Sequence, residues 1–367
     1  AGGSIFATIE KEQKTGSGTL PDYLTIADIT ATSTGGPYYI AAGAVFKGTM
    51  SSTPASMTWN PNSDSATSDR PYNPTYNEST MLCNALTYWS AKGELYGGFY
   101  TSDAEHYGLY SASSSNPVTA NWSQLTLPSS GEQVTYLQVA GSDTSSTSTS
   151  YLYIGGAVVA SSSTYELDYY DGTTVWKSSL GGYTLSTPVK GVAYSSSYGY
   201  FVATNDAVYV SSTENFSSAT AVTPSIGASP DKIHGIYSDG TNVFVLTERS
   251  GIYQYNGSSF SQLVADPQPS SSVYVGFLSM AKIGSVYLVG SNNSYGYYIL
   301  SGSTLTRYSD TTVGLYVESV SRIYVGADMT VFMGTNANGL WGTQMDSSGN
   351  LTTSWTHEQK DSTSYSY

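Results

Sequence analysis

The chain has 367 residues, length for two ordinary domains unless a repeat overrides that expectation, and it carries a net charge of −14. Its 13 basic residues are scattered singly, so the clustered basic face of a nucleic-acid binder is absent and no nucleic-acid partner is expected. Tyrosine is heavily used (34 Tyr against 9 Phe and 6 Trp) while charged residues make up only 11%, a balance that favours pleated strands over helices and points to an all-β protein.

Along the chain, the start at Ala1-Gly2-Gly3-Ser4 lacks an initiator Met and reads as a trimmed mature form, expected to be secreted, periplasmic or at the cell surface. Such a start also suits the stretch behind a lipidated cysteine, which would add an N-terminal lipid anchor outside this sequence. Ser4-Ile5-Phe6-Ala7-Thr8-Ile9 reads as a strand that could close a ring beside the last repeat. Seven apolar, aromatic runs then follow, beginning at Tyr38, Leu95, Leu152, Tyr200, Val243, Val286 and Val331. The last four lie about 43 to 45 residues apart and the earlier ones about 50 to 57, the span of a four-stranded propeller blade. Asn60 to Tyr76, rich in Asn, Asp and Pro, reads as an inserted loop. Cys83, the only cysteine, lies in the apolar run Met81 to Leu86, where a buried inert thiol is expected and no intrachain disulfide can form. No stretch reaches the ~18 apolar residues of a membrane span.

The unit extends beyond the central run. A strand precedes each run, as in Val189-Lys190-Gly191-Val192-Ala193-Tyr194. A polar turn and an alternating strand follow it, as in Gly251-Ile252-Tyr253-Gln254-Tyr255. Hairpin turns such as Asp171-Gly172 and Asn256-Gly257 come next. A short segment with a large residue ends the unit: Trp59, Trp122, Trp176, Phe216, Phe260, Leu305 or Trp355. One four-stranded sheet leaves two faces and two edges bare, and stacking blades around an axis covers the faces. The expected fold is a single seven-bladed β-propeller domain over residues 1–367, built of four-stranded antiparallel blades, with six or eight blades as the alternative count.

The recurring pattern of Val-Tyr/Phe-aliphatic-Gly/Thr, polar turn, Gly-aliphatic-Tyr, polar turn and Trp resembles the extracellular propellers of the BNR, kelch and YVTN repeat proteins. It covers most of the chain. The nearest match to an Asp-box, Asp171-Gly172-Thr173-Thr174-Val175-Trp176, lacks the family spacing, and the paired glycines of kelch repeats do not recur.

A sialidase-like propeller needs three convergent arginines. Arg249, Arg307 and Arg322 fall at three different repeat positions and Arg70 in the inserted loop, so no clamp is expected. His106, His234 and His357 are likewise dispersed; His234, on an innermost strand beside Asp231 and Lys232, could face the central channel, though a satisfied strand histidine is the simpler reading. No His or Cys spacing matches a metal-ligand set, and Asp239-Gly240-Thr241-Asn242 and Asp346-Ser347-Ser348-Gly349-Asn350 read as hairpin turns. No cofactor, metal or catalytic residue is expected. The turns after the second strands align across blades: Asn205-Asp206, Glu248-Arg249, Asn292-Asn293 and Asn336 with Asn338. In propellers these turns share the face that surrounds the channel, so these eight residues are the candidate ligand-binding set, although tight turns also favour Asn and Asp for their own sake. The function expected is a non-catalytic propeller that binds a glycan, peptide or protein partner or acts as a scaffold. The alternative is a polysaccharide-acting hydrolase or lyase working at the channel mouth.

Overall fold

A computed structural model describes residues 25–358, apart from 34–35, 37, 43, 61–81, 101–106, 115–121, 130, 159–163, 228–230 and 271. The strand expected over residues 4–9, nearly all of the 60–76 insertion and His106 lie outside the described residues.

The chain lays down its strands in consecutive fours. The first group is β1 (Asp28–Ala31), β2 (Tyr38–Ala42), β3 (Ala44–Met50) and β4 (Met57–Asn60), and the second is β5 (Leu82–Trp89), β6 (Glu94–Tyr100), β7 (Tyr107–Ser113) and β8 (Ser123–Leu125). The third is β9 (Glu132–Gly141), β10 (Ser150–Val158), β11 (Tyr165–Tyr170) and β12 (Val175–Lys177). The fourth is β13 (Val189–Ser195), β14 (Gly199–Thr204), β15 (Val208–Ser211) and β16 (Thr220–Ala221). The fifth is β17 (Ile233–Ser238), β18 (Val243–Thr247), β19 (Ile252–Tyr255) and β20 (Phe260–Val264). The sixth is β21 (Phe277–Ile283), β22 (Val286–Ser291), β23 (Tyr297–Ser301) and β24 (Thr304–Arg307), and the last is β25 (Val320–Val325), β26 (Thr330–Thr335), β27 (Leu340–Gln344) and β28 (Thr356–His357). Each group forms one four-stranded meander, seven such sheets in all among the described residues. Every pairing within them is antiparallel. The first strands touch in a ring, β1 against β5, β5 against β9 and so on to β25 against β1. This is an all-β propeller of four-stranded antiparallel blades.

The burial of each strand follows from its place in the blade. Second strands lie between neighbouring sheets and are apolar on both faces; all five residues of β18 are buried. Outer strands keep one apolar anchor and a polar remainder, so in β20 only Phe260 is fully buried. Each seam between adjacent blades has its own apolar cluster. The seam joining the third and fourth blades holds Tyr153, Leu167, Val192, Tyr200, Val202 and Phe216, among others. The closing seam, between the last blade and the first, is thinner: Ile26, Phe46, Phe332 and Leu340 are its buried members among the described residues. Gly334 makes that contact possible, because a Cβ there would stand 2.6 Å from a methyl carbon of Ile26. Three hydrogen bonds lock it, from the Ile26 amide to the Thr335 carbonyl at 3.0 Å, from the Ser321 hydroxyl to the Ile26 carbonyl at 3.1 Å and from the Thr25 hydroxyl to the Asn336 carbonyl.

Several turns behave as their sequences imply. Asp239 accepts from the Thr241 and Asn242 amides, and Asp346 from those of Ser348 and Asn350. Asp171 accepts from the Thr173 and Thr174 amides and, at 2.9 Å, from the indole of Trp176. Cys83 is buried, with its thiol donating to the Ala85 carbonyl at 3.3 Å. Gly251, just ahead of β19, has φ +94°, and a Cβ on it would lie 2.2 Å from the Val264 carbonyl oxygen. A Gly251→Ala protein is therefore expected to lose about 1–3 kcal/mol from the strained backbone alone. A lowered urea midpoint at unchanged m-value would show it.

Candidate functional site at the channel mouth

The channel is walled by the free edges of the first strands, whose unpaired amides need acceptors. The first, third and fifth blades supply them to the blade that follows. Asp28 Oδ2 accepts from the Leu86 amide at 3.1 Å, Thr30 Oγ1 from that of Tyr88 at 3.2 Å, the Tyr136 hydroxyl from Val192 at 3.0 Å and the Tyr237 hydroxyl from Lys282 at 2.9 Å.

Six of these strands also share an irregularity. One extra residue bulges from the ladder near the start of the strand: Asn84, Thr135, Lys190, His234, Leu278 and Ser321. A bulge frees its residue from the pleat and can turn the side chain away from the seams. Lys190, His234 and Leu278 thereby reach a cavity of about 210 Å³ in the channel, which Asp28, Tyr136 and Arg322 also line. A second cavity of about 410 Å³ adjoins it towards the far ends of the strands, and its polar lining includes Thr30, Ser33, Tyr88, Ser90 and Thr144.

The first cavity gathers positive charge in a strongly acidic chain. Arg322 reaches Asp28, Nε to Oδ1 at 3.5 Å, and donates to the Ser321 carbonyl at 2.9 Å. Burial pushes the Asp28 carboxyl up, and the Arg322 charge with the Leu86 and Ile29 amides only partly offsets it. Lys190 is open to solvent and has no ion-pair partner among the described residues. Desolvation by the channel wall, followed by the charges of Arg322 and Lys232, lowers its pKa. His234 is held down mainly by burial, although Glu248 and the Phe277 carbonyl favour its charged form. Its Nδ1 lies 3.2 Å from that carbonyl and its Nε2 3.9 Å from Glu248 Oε2.

None of the eight turn residues lines this cavity. Their polar groups are largely engaged in fastening the turns. The Asn205 carbonyl accepts from the Ile233 amide of the next blade at 2.8 Å. Asp206 accepts from Ser186, Thr187 and Thr204; burial would raise its pKa, but these hydroxyls hold it below the usual range. The amides of Glu248, Asn292, Asn293 and Asn336 donate to Lys232, Gly276, Val275 and Ser319. Arg249 lies with its guanidinium 5.1 Å from the Tyr274 ring centre, and its amide donates to Asp231. Asn338 donates to Glu318 at 3.0 Å while its carbonyl meets His357 at 2.9 Å. Glu248 alone approaches the cavity, through His234. Lys190, Tyr136, Arg322 and Asp28 were not among the expected ligand-binding residues, because the bulges that help bring them together leave no periodic trace in sequence.

A different set could hold a metal. Glu132, Glu166 and Asp168, all buried, place one carboxylate oxygen each within 4.8 Å of one another in the third blade. Sequence spacing gave no hint of it, since the ligands come from β9 and β11 and none is His or Cys.

No protein-family model matches the chain, and no curated protein matches it. Solved structures do. The GH74 xyloglucanase from Xanthomonas campestris aligns over 94% of this chain and 56% of its own, at 11% identity and TM-score 0.65. The extracellular domain of the BT4673 protein of B. thetaiotaomicron aligns over 87% of this chain at 13% identity and TM-score 0.58, so the chain spans 38% of that protein's length. YCF48 in complex with a D1 peptide aligns over 89% of this chain and 94% of its own, at 12% identity and TM-score 0.57. At these identities the likeness is one of fold, and the fold is that of the β-propellers.

Proposed function

We propose that this protein is a non-catalytic binding propeller of the cell exterior or envelope, and that its channel mouth takes a carboxylate-bearing glycan or peptide. The observation that carries the reading is Lys190, without an ion-pair partner among the described residues and facing one cavity with Arg322 and His234 in a chain of net charge −14. Like charges crowded in a partly desolvated channel repel one another, and an anionic ligand relieves that repulsion. Carboxylates able to share acid and base roles do not converge there: among the described residues Asp28 is the single acidic group lining the cavity, and it is tied to Arg322 and the Leu86 amide. The likeness to a propeller solved with a peptide bound, and to an extracellular domain, agrees with this reading. No helix among the described residues is long and apolar enough to cross a membrane.

The test is a binding panel of polygalacturonate, alginate and acidic peptides against their neutral counterparts. Acidic ligands are expected to bind and neutral ones not, with Lys190→Ala weakening binding about tenfold, or ~1.4 kcal/mol, and added salt weakening it further. Because burial holds the His234 pKa below the free-imidazole value of 6.5, the ring gains its charge only as pH falls below that value, and affinity should rise as it does. His234→Asn should flatten that profile. Equal binding of neutral ligands, or affinity untouched by Lys190→Ala, would overturn the reading.

A further inference from the structure

The three carboxylates of the third blade lie at its seam with the second. Glu132 opens β9 and lies over Gly156, where a Cβ would collide with its carboxylate. Glu166 and Asp168 point to the same face of β11, two residues apart. Glu166 is already engaged, by the Lys177 ammonium and the Ser129 hydroxyl. Glu132 and Asp168 are not. They are 2% and 0% exposed, and among the described residues no donor reaches either oxygen of either carboxylate unless one of the two is itself protonated and donates to the other. A buried carboxylate without a donor is costly and requires a cation or a proton.

We infer that Glu132, Glu166 and Asp168 form a binding site for one hard divalent cation of the Ca²⁺, Mg²⁺ or Mn²⁺ class. With all three ionised, as metal ligands must be, the carboxylates against the single ammonium of Lys177 leave two negative charges unbalanced, the charge of one such ion. All candidate ligands are oxygens, the donors these ions select. Oxygens within 4.8 Å of one another can share an ion that sits about 2.4 Å from each. The Ser129 hydroxyl, already on Glu166, stands ready as a further neutral ligand. Lys177 is 55% exposed and marks the side from which an ion can enter. The rival state of the same cluster is a proton shared between Glu132 and Asp168, and the two states respond oppositely to added metal.

The experiment uses the full chain, stripped with EDTA and dialysed, then titrated separately with CaCl₂, MgCl₂ and MnCl₂ by calorimetry and thermal unfolding. One equivalent of at least one ion is expected to bind and to raise Tm with concentration, as a ligand specific for the folded state must. Glu132→Gln and Asp168→Asn, checked for an unchanged far-UV spectrum, should each weaken that binding at least about tenfold, ~1.4 kcal/mol. Lys177→Met supplies the second arm should either variant fail to fold: its half-exposed side chain is dispensable to packing, and losing its charge should tighten metal binding severalfold. Absence of heat and of any Tm shift with all three salts at about 5 mM overturns the site and leaves the shared proton. So does metal binding that survives both carboxylate substitutions, or that Lys177→Met leaves unchanged or weakens.

Discussion

Tyr153→Ala is expected to lower the unfolding free energy by about 3–5 kcal/mol, the range for emptying a large aromatic site in a packed core. Tyr153 is fully buried and joins two blades rather than filling one. Its ring meets Phe216 edge-on at 5.9 Å and Tyr200 at the same distance, both across the seam in the fourth blade. Its hydroxyl donates to the Glu214 carbonyl at 2.9 Å. Phe216 has little room to follow the missing ring, since it sits at φ +54° in a tight turn ahead of β16. Tyr153→Phe should cost only about 1 kcal/mol, the value of a hydrogen bond whose acceptor can turn to water. A urea series on the three proteins separates the contributions. Equal losses for the two variants would mean that the hydroxyl, and not the ring, holds the seam.

Glu132→Gln is expected to change sign with the solution. In EDTA above pH 7 it should stabilise the protein, on the order of 1–3 kcal/mol, because the wild-type side chain must take up a proton on folding or be buried charged without a donor, and the amide need do neither. With a binding cation present it should destabilise, because a ligand is lost. The pH dependence in chelator has a definite direction. Burial first, then the neighbouring Asp168 and Glu166 charges, push the Glu132 carboxyl far above the carboxylate range, and burial with Glu166 raises Asp168. Groups with raised folded pKa values hold more protons in the folded state than in the unfolded chain. Their contribution is complete below the unfolded value near 4.5 and drains away as pH rises towards the folded values. Unfolding free energy in EDTA should therefore fall from pH 5 to pH 9, with a shallower slope in Glu132→Gln. A slope that rises with pH, or is the same in both proteins, would contradict this.

The fold was readable because its signal repeats. The runs at Tyr200, Val243, Val286 and Val331 mark second strands that are buried on both faces, and burial on both faces writes a continuous apolar stretch into the sequence. The polar turns after them were legible too, since Asn205, Asn292 and Asn336 occupy equivalent turns. What those residues do was not, because an Asn that fastens a loop through its backbone looks the same in sequence as one that grips a ligand. The channel residues were hidden for another reason. Alternation assigns each strand residue to one seam or the other, and Lys190 or His234 escapes both only by lying in a bulge. Glu166 and Asp168 show alternation on β11 plainly, yet their partner Glu132 is more than thirty residues earlier, and only the folded blade brings it alongside.

The bulges have a consequence for how such a protein can change over time. A residue in the ladder answers to its strand partners and to a packed seam, so most replacements there cost stability. The bulged residues Lys190, His234 and Leu278, which face the channel, answer to fewer constraints, unlike Ser321, whose bulged hydroxyl is buried and ties the closing seam. Equivalent positions already hold an ammonium in Lys190, an imidazole in His234 and an alkyl group in Leu278, all on the same cavity. Selection can thus rewrite the channel lining one blade at a time while the seams keep their composition, and the ring behaves as a fixed frame carrying a short, separately mutable alphabet.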